Sequence, residues 1–190
     1  MAVTLINAFE VPPEADEEFI AGWERAREFL AGKEDFAAMA LHRALRPDVD
    51  FRFVSVAQVE SPEAAASEPA FGDEMPFRAH PGLYEVVRRD GDPDVAGGVV
   101  LINPFEVPDD ADARFLAGWD GARAVLSRQQ GYLGTRLHRS VGPADFRFVN
   151  VARWSSPLMF ARALERPEFR EAAGALPFPS HPALYQVVRD

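Results

Sequence analysis

FRFVNVARW at 146–154 and FRFVSVAQV at 51–59 are one strand written twice. Its alternation sets Phe146, Phe148, Ala152 and Trp154 on one face and Val149 and Val151 on the other, so both faces are apolar. Only the second version carries the polar and indole pair Asn150 and Trp154; Ser55 and Val59 stand in the first.

The duplication extends outward from this strand. LINAFEVPPEAD at 5–16 returns as LINPFEVPDDAD at 101–112, FIAGWERAR at 19–27 as FLAGWDGAR at 115–123, and HPGLYEVVR at 80–88 as HPALYQVVR at 181–189. Such self-similarity marks two copies of one unit. We assign repeat 1 to residues 1–88, a Gly, Asp and Pro-rich linker to 89–98, and repeat 2 to 99–190.

Within repeat 2, the β-branched VVLINPFEV reads as a strand ended by Pro108, and DDAD supplies an acidic first turn for an amphipathic helix. LGTRLHRSV and DFRFVNVARW read as a hairpin across GPA. Ser156-Pro157 opens a second helix interrupted at Pro167, and LYQVVR closes the copy. The order βαββαβ predicts an α+β fold of two ferredoxin-like repeats. One sheet face takes the helices, and the other needs a cover, so the repeats are expected to pack sheet to sheet as an intramolecular pseudo-dimeric α/β barrel.

Composition narrows the function. The 190 residues are 47% hydrophobic and carry a net charge of −10, which opposes binding to nucleic acid or to an anionic membrane. Residues 1–96 hold 9 basic and 20 acidic side chains, residues 97–190 hold 11 and 10, so an anionic or phenolate ligand suits the second half. No cysteine is present, which removes disulfides and thiolate metal sites. Apolar runs fall short of a membrane span and no signal peptide is evident, so the expectation is a cytoplasmic protein. Hydrolase, kinase, dinucleotide and zinc signatures are absent, and no metal site is expected.

An asparagine on an aromatic strand face must bond to the protein or wait for a ligand, because an unpaired buried amide costs about 1–3 kcal/mol. That only one copy keeps Asn150 and Trp154 argues against a need in folding alone. Residues found in both copies, Asn103 with Asn7, Trp119 with Trp23, His138 with His42 and His181 with His80, point first to shared structural roles.

With its INxFEVP strand, FLxGW helix, LHRS strand and FRFVNVAxW strand before a Ser-Pro helix start, the chain resembles the antibiotic biosynthesis monooxygenase family, over nearly its whole length and most closely in repeat 2. The resemblance implies a ferredoxin-like dimeric α/β barrel and oxidation of an anthrone-like or polyketide phenol by dioxygen, with no metal and no prosthetic group. Reduced flavin from a partner, or haem as in the related haem-degrading enzymes, are the cofactors relatives use. It implies catalytic roles for Asn150 and Trp154, an arginine that falls on Arg170, and a tyrosine position occupied here by Phe160. His138 is the candidate base; Phe146, Phe148, Trp119 and Phe160 are the candidate substrate-binding residues. The expected partner is a small aromatic substrate, with the chain a self-contained pseudo-dimer open to further homodimerisation. The competing readings are haem degradation, with His181 as the nearby axial candidate, and a non-oxidative barrel that binds or cyclises a polyketide.

Overall fold

A computed structural model of the chain describes residues 3–31, 36–60 and 76–190. Repeat 1 runs β1 (Val3–Glu10), α1 (Asp16–Ala31), β2 (Phe36–Ala44), β3 (Phe53–Val59) and β4 (Arg78–Gly91). Repeat 2 runs β5 (Val99–Phe105), α2 (Asp112–Leu126), β6 (Tyr132–Ser140), β7 (Phe148–Trp154), α3 (Pro157–Leu164), α4 (Pro167–Ala173) and β8 (Ala183–Arg189). The expected second helix of repeat 1 includes residues 61–75, which lie outside the described residues.

Local chemistry sets these boundaries. Pro12 and Pro108 hold extended backbone before short 3-10 turns, and each following helix begins on an aspartate, Asp16 or Asp112. The arginine of each DFRFV motif then clamps that aspartate with two hydrogen bonds: Arg52 to Asp16 at 2.9 and 2.6 Å, Arg147 to Asp112 at 2.9 and 2.8 Å. A two-pronged guanidinium–carboxylate pair fixes direction as well as distance, so it ties each helix start to its hairpin. Pro157 occupies the first turn of α3, where its missing N–H costs nothing, and Ser156 Oγ accepts from Met159 N at 3.3 Å. Pro167 separates α3 from α4 as expected.

By compactness the chain divides into two units, one of residues 1–86, 140–145 and 185–190, the other of residues 87–139 and 146–184. In the first unit the antiparallel order β4-β1-β3-β2 is that of a ferredoxin-like sheet. The end of β8 adds to its β2 edge, with His42 opposite Val187. Its core holds Phe9, Phe19, Trp23, Leu41 and Phe53, with Phe19 stacked on Phe53 at 4.4 Å.

In the second unit β7 lies between β5 and β6, both antiparallel to it. The aromatic triple recurs as Phe105, Phe115 and Phe148, with Phe115 stacked on Phe148 at 4.3 Å. A separate cluster gathers Leu101, Ala152, Trp154 and Ala163, joined by Tyr132 and Phe160. One face of β7 therefore serves two apolar clusters, and Asn150 lies between them in sequence.

Two boundaries differ from expectation. Strand β4 continues through Gly91, so the first three residues of the 89–98 linker are strand. The hairpin connection spans residues 141–147 rather than GPA alone, leaving Phe146 ahead of β7. Among the described residues no helix is long and apolar enough to cross a membrane.

Candidate active site

The second unit contains a cavity of about 280 Å³, near the lower end of the roughly 300–1,000 Å³ common for small-molecule sites. Its floor is the helix-covered sheet face: Leu101, Asn103 and Phe105 from β5, Tyr132 and Thr135 from β6, Asn150, Ala152 and Trp154 from β7. Trp119, Arg123 and Leu126 come from α2, Phe160 and Leu164 from α3, Phe169 from α4. The mostly apolar wall presents a few polar groups at chosen places.

Asn150 is the best defined of these. Its Oδ1 lies 2.7 Å from the Thr135 hydroxyl, which engages the acceptor end of the amide and leaves Nδ2–H₂ as the donor without a partner among the described residues. Trp154 is fully buried and Phe160 and Tyr132 meet it edge-on, at 5.3 and 5.5 Å between ring centroids. Its Nε1–H finds no acceptor, and Asn103 Oδ1, directly across the strand pair from Asn150, finds no donor. Unpaired buried polar groups of this kind are costly in a folded protein and common where a ligand completes them.

Of the sequence candidates, Asn150, Trp154, Trp119 and Phe160 meet at this cavity. The other four lie elsewhere. Phe148 is packed into the core against Phe115 and does not line the cavity, because sharing a strand face with Asn150 does not mean sharing a depth. Phe146 precedes the strand and sits edge-on to His181 at 5.4 Å. Arg170 is exposed on α4 while Phe169 turns inward. The guanidinium at the cavity is that of Arg123, paired with Asp90 at 3.0 Å.

His138 follows Leu137, whose side chain joins the helix-side core, so the imidazole projects from the opposite face. Its Nδ1 lies 3.2 Å from the Val149 carbonyl. Burial pushes its pKa down to about 4 despite that bond. A neutral ring facing away from the cavity does not serve as base there. His181 bonds Glu106 at 2.9 Å and is not a lining residue, so no histidine lines the cavity.

Sequence reading missed Tyr132, Thr135 and Arg123. The register slips between Tyr132 and Gly134, a bulge that sets Tyr132 opposite Trp154 while Thr135 sits opposite Ala152. The extra residue re-aims Tyr132 onto the cavity face. Strict alternation would have put it with Gly134 and Arg136. Thr135 could have been found by comparing copies, since repeat 1 has Met39 there. At the corresponding position of the first unit, Trp23 Nε1 donates to Ser55 Oγ at 3.2 Å.

Residues 98–175, which hold almost all of this site, match the model of the family described as antibiotic biosynthesis monooxygenase. Repeat 2 belongs to the antibiotic biosynthesis monooxygenase family. Over nearly its whole length it is similar to an anthrone oxidase-like protein, at 15% identity across 99% of this chain and 92% of that one, with a TM-score of 0.74. It is similar to LmHde, a heme-degrading enzyme from Listeria monocytogenes, at 16% identity across 98% of this chain and 99% of that one, with a TM-score of 0.55. At these identities both likenesses speak to the fold alone. SnoaB, a cofactor-independent oxygenase from Streptomyces nogalater, is 31% identical across 50% of this chain and 97% of its own, with a TM-score of 0.46. No curated protein matches the chain. Among the described residues no group of three or more His, Cys, Asp or Glu side chains is arranged to hold a metal ion.

Proposed function

We propose that this protein oxidises a polycyclic phenol of the anthrone type with dioxygen, at one site per chain, in repeat 2. The observation that carries the reading is the amide of Asn150, which lines an aromatic cavity with its Oδ1 engaged by the Thr135 hydroxyl and its Nδ2–H₂ left as the donor. An oriented N–H donor stabilises charge on an oxygen best when that charge develops during reaction, which is what an anthrone does on losing its acidic methylene proton. The resulting enolate passes one electron to dioxygen, and the carbon radical and superoxide combine as a peroxide. Loss of water with the second methylene hydrogen leaves a carbonyl, so one oxygen atom enters the product and the other leaves in water. Trp154 and Phe160 would flank the rings and keep solvent from the radical pair.

The chemistry needs only the substrate's own electrons, and the reading includes no metal and no prosthetic group. Haem fits the cavity less well, because no histidine lines it to act as axial ligand. Repeat 1 is assigned as the structural half of an intramolecular pseudo-dimeric barrel. That part of the proposal rests on the duplication and on the apolar second face of each sheet.

Asn150→Ala and Ser55→Ala test the assignment together, with anthraquinone formation followed by absorbance. Asn150→Ala is expected to lower kcat/KM by about 10²–10³-fold, the usual loss for one such donor, while Ser55→Ala leaves it within about twofold. Equal losses in the two variants would refute a single site in repeat 2.

A further inference from the structure

Asn150 does not account for the other polar end of the cavity. Tyr132 Oη donates to Asp90 Oδ2 at 3.3 Å, and the same oxygen accepts from Arg123 Nη1 at 3.0 Å. Tyr132 and Arg123 both line the cavity. Asp90 belongs to the strand end that continues past the expected boundary of repeat 1. Its side chain and that of Arg123 are each about one-third exposed, at 32% and 31%, which makes this end the wetter one.

The two polar ends are separated along the sheet. Tyr132 is opposite Trp154, and Trp154 is four residues from Asn150 on the same face of β7, roughly 13 Å at about 3.3 Å per residue. Between them the wall is Ala152, Leu101 and the Trp154 and Phe160 rings. A flat apolar ligand with an oxygen at each end meets this pattern; a ligand with one oxygen leaves one end without a partner.

We infer that Tyr132 is a specificity-determining residue that accepts a hydrogen bond from a hydroxyl on the substrate ring remote from the oxygen held by Asn150. Asp90 acts as a positioning residue. By accepting the Tyr132 O–H it turns the phenol's lone pairs toward the cavity, and the chain substrate O–H to Tyr132 O–H to carboxylate strengthens along its length. Arg123 holds the carboxylate in place. The inference rests on the reading of this cavity as an aromatic-substrate site, and it narrows the substrate class to polycyclic phenols carrying a second, remote hydroxyl.

Calorimetric titration of the full chain with naphthalene-2,6-diol and with 2-naphthol separates the two claims, because the probes share a ring system and differ in the remote hydroxyl. The wild type is expected to bind the diol about tenfold more tightly, the ratio corresponding to one well-made hydrogen bond. Tyr132→Phe should bring the ratio to about one, and Asp90→Asn should reduce it partly. Binding of both probes with a ratio unchanged in Tyr132→Phe and in Asp90→Asn would overturn the assignment and leave the cavity reading intact. Binding of neither probe to the wild type would overturn both.

Discussion

Thr135 on β6 and Asn150 on β7 are diagonal neighbours whose side chains meet at 2.7 Å, and the pair has no equivalent in the first repeat, where Met39 and Ser55 occupy those positions. Repeat 1 instead joins Trp23 to Ser55 at 3.2 Å. The same scaffold position is thus bonded to a helix tryptophan in one copy and to a threonine of the neighbouring strand in the other.

That relationship predicts the behaviour of Thr135→Val, which keeps the side-chain shape and removes the hydroxyl. With Oδ1 released, the Asn150 amide is free to turn its acceptor to the cavity for part of the time. We expect kcat/KM to fall about tenfold and stability to drop by about 1 kcal/mol, with Thr135→Ser restoring both. Steady-state kinetics and urea unfolding read the two effects.

His138 predicts an acid-labile fold rather than an acid limb in catalysis. Its folded pKa of about 4 lies below the ordinary value of 6.5, so between those values the unfolded chain binds a proton that the native chain refuses. The sign follows directly: stability is intact above about pH 6.5 and declines as pH falls toward 4, by on the order of 1–3 kcal/mol. Urea unfolding at pH 7 and pH 5 should show this slope, flattened in His138→Gln. A His138→Gln variant with an unchanged slope would contradict it.

Gly131 predicts a local strain effect beside the bulge. Its φ is +88°, a conformation L side chains rarely adopt, and a β-carbon there would lie 2.4 Å from Met159 Cβ on α3. Gly131→Ala is expected to cost about 1–3 kcal/mol. At about 2–4 °C per kcal/mol for a chain of this size, thermal unfolding should fall by roughly 2–12 °C.

Much of this was legible before the fold was known. The duplication, the strand order and the shared face of Asn150 and Trp154 follow from repetition and alternation, which are properties of the backbone. Depth was not legible: Phe148 and Asn150 share a face, yet Phe148 packs against Phe115 while Asn150 reaches the cavity. Nor was the bulge that turns Tyr132 inward, because no periodic pattern marks an extra residue. Nor was the position of the cavity guanidinium legible. Arg170 occupies a matching sequence position on an exposed helix face, while Arg123 reaches the cavity from α2, where Asp90 neutralises it. The side taken by His138 follows from its neighbour: Leu137 packs on the helix side, so the imidazole falls on the other face.

The central claim is oxidation of an anthrone-type phenol by dioxygen at Asn150. It is tested most directly by oxygen consumption with anthrone and the purified chain, with no metal or flavin added. We predict uptake well above uncatalysed autoxidation, with one oxygen atom recovered in the anthraquinone and the rate lost in Asn150→Ala. A wild-type rate equal to autoxidation would contradict the account.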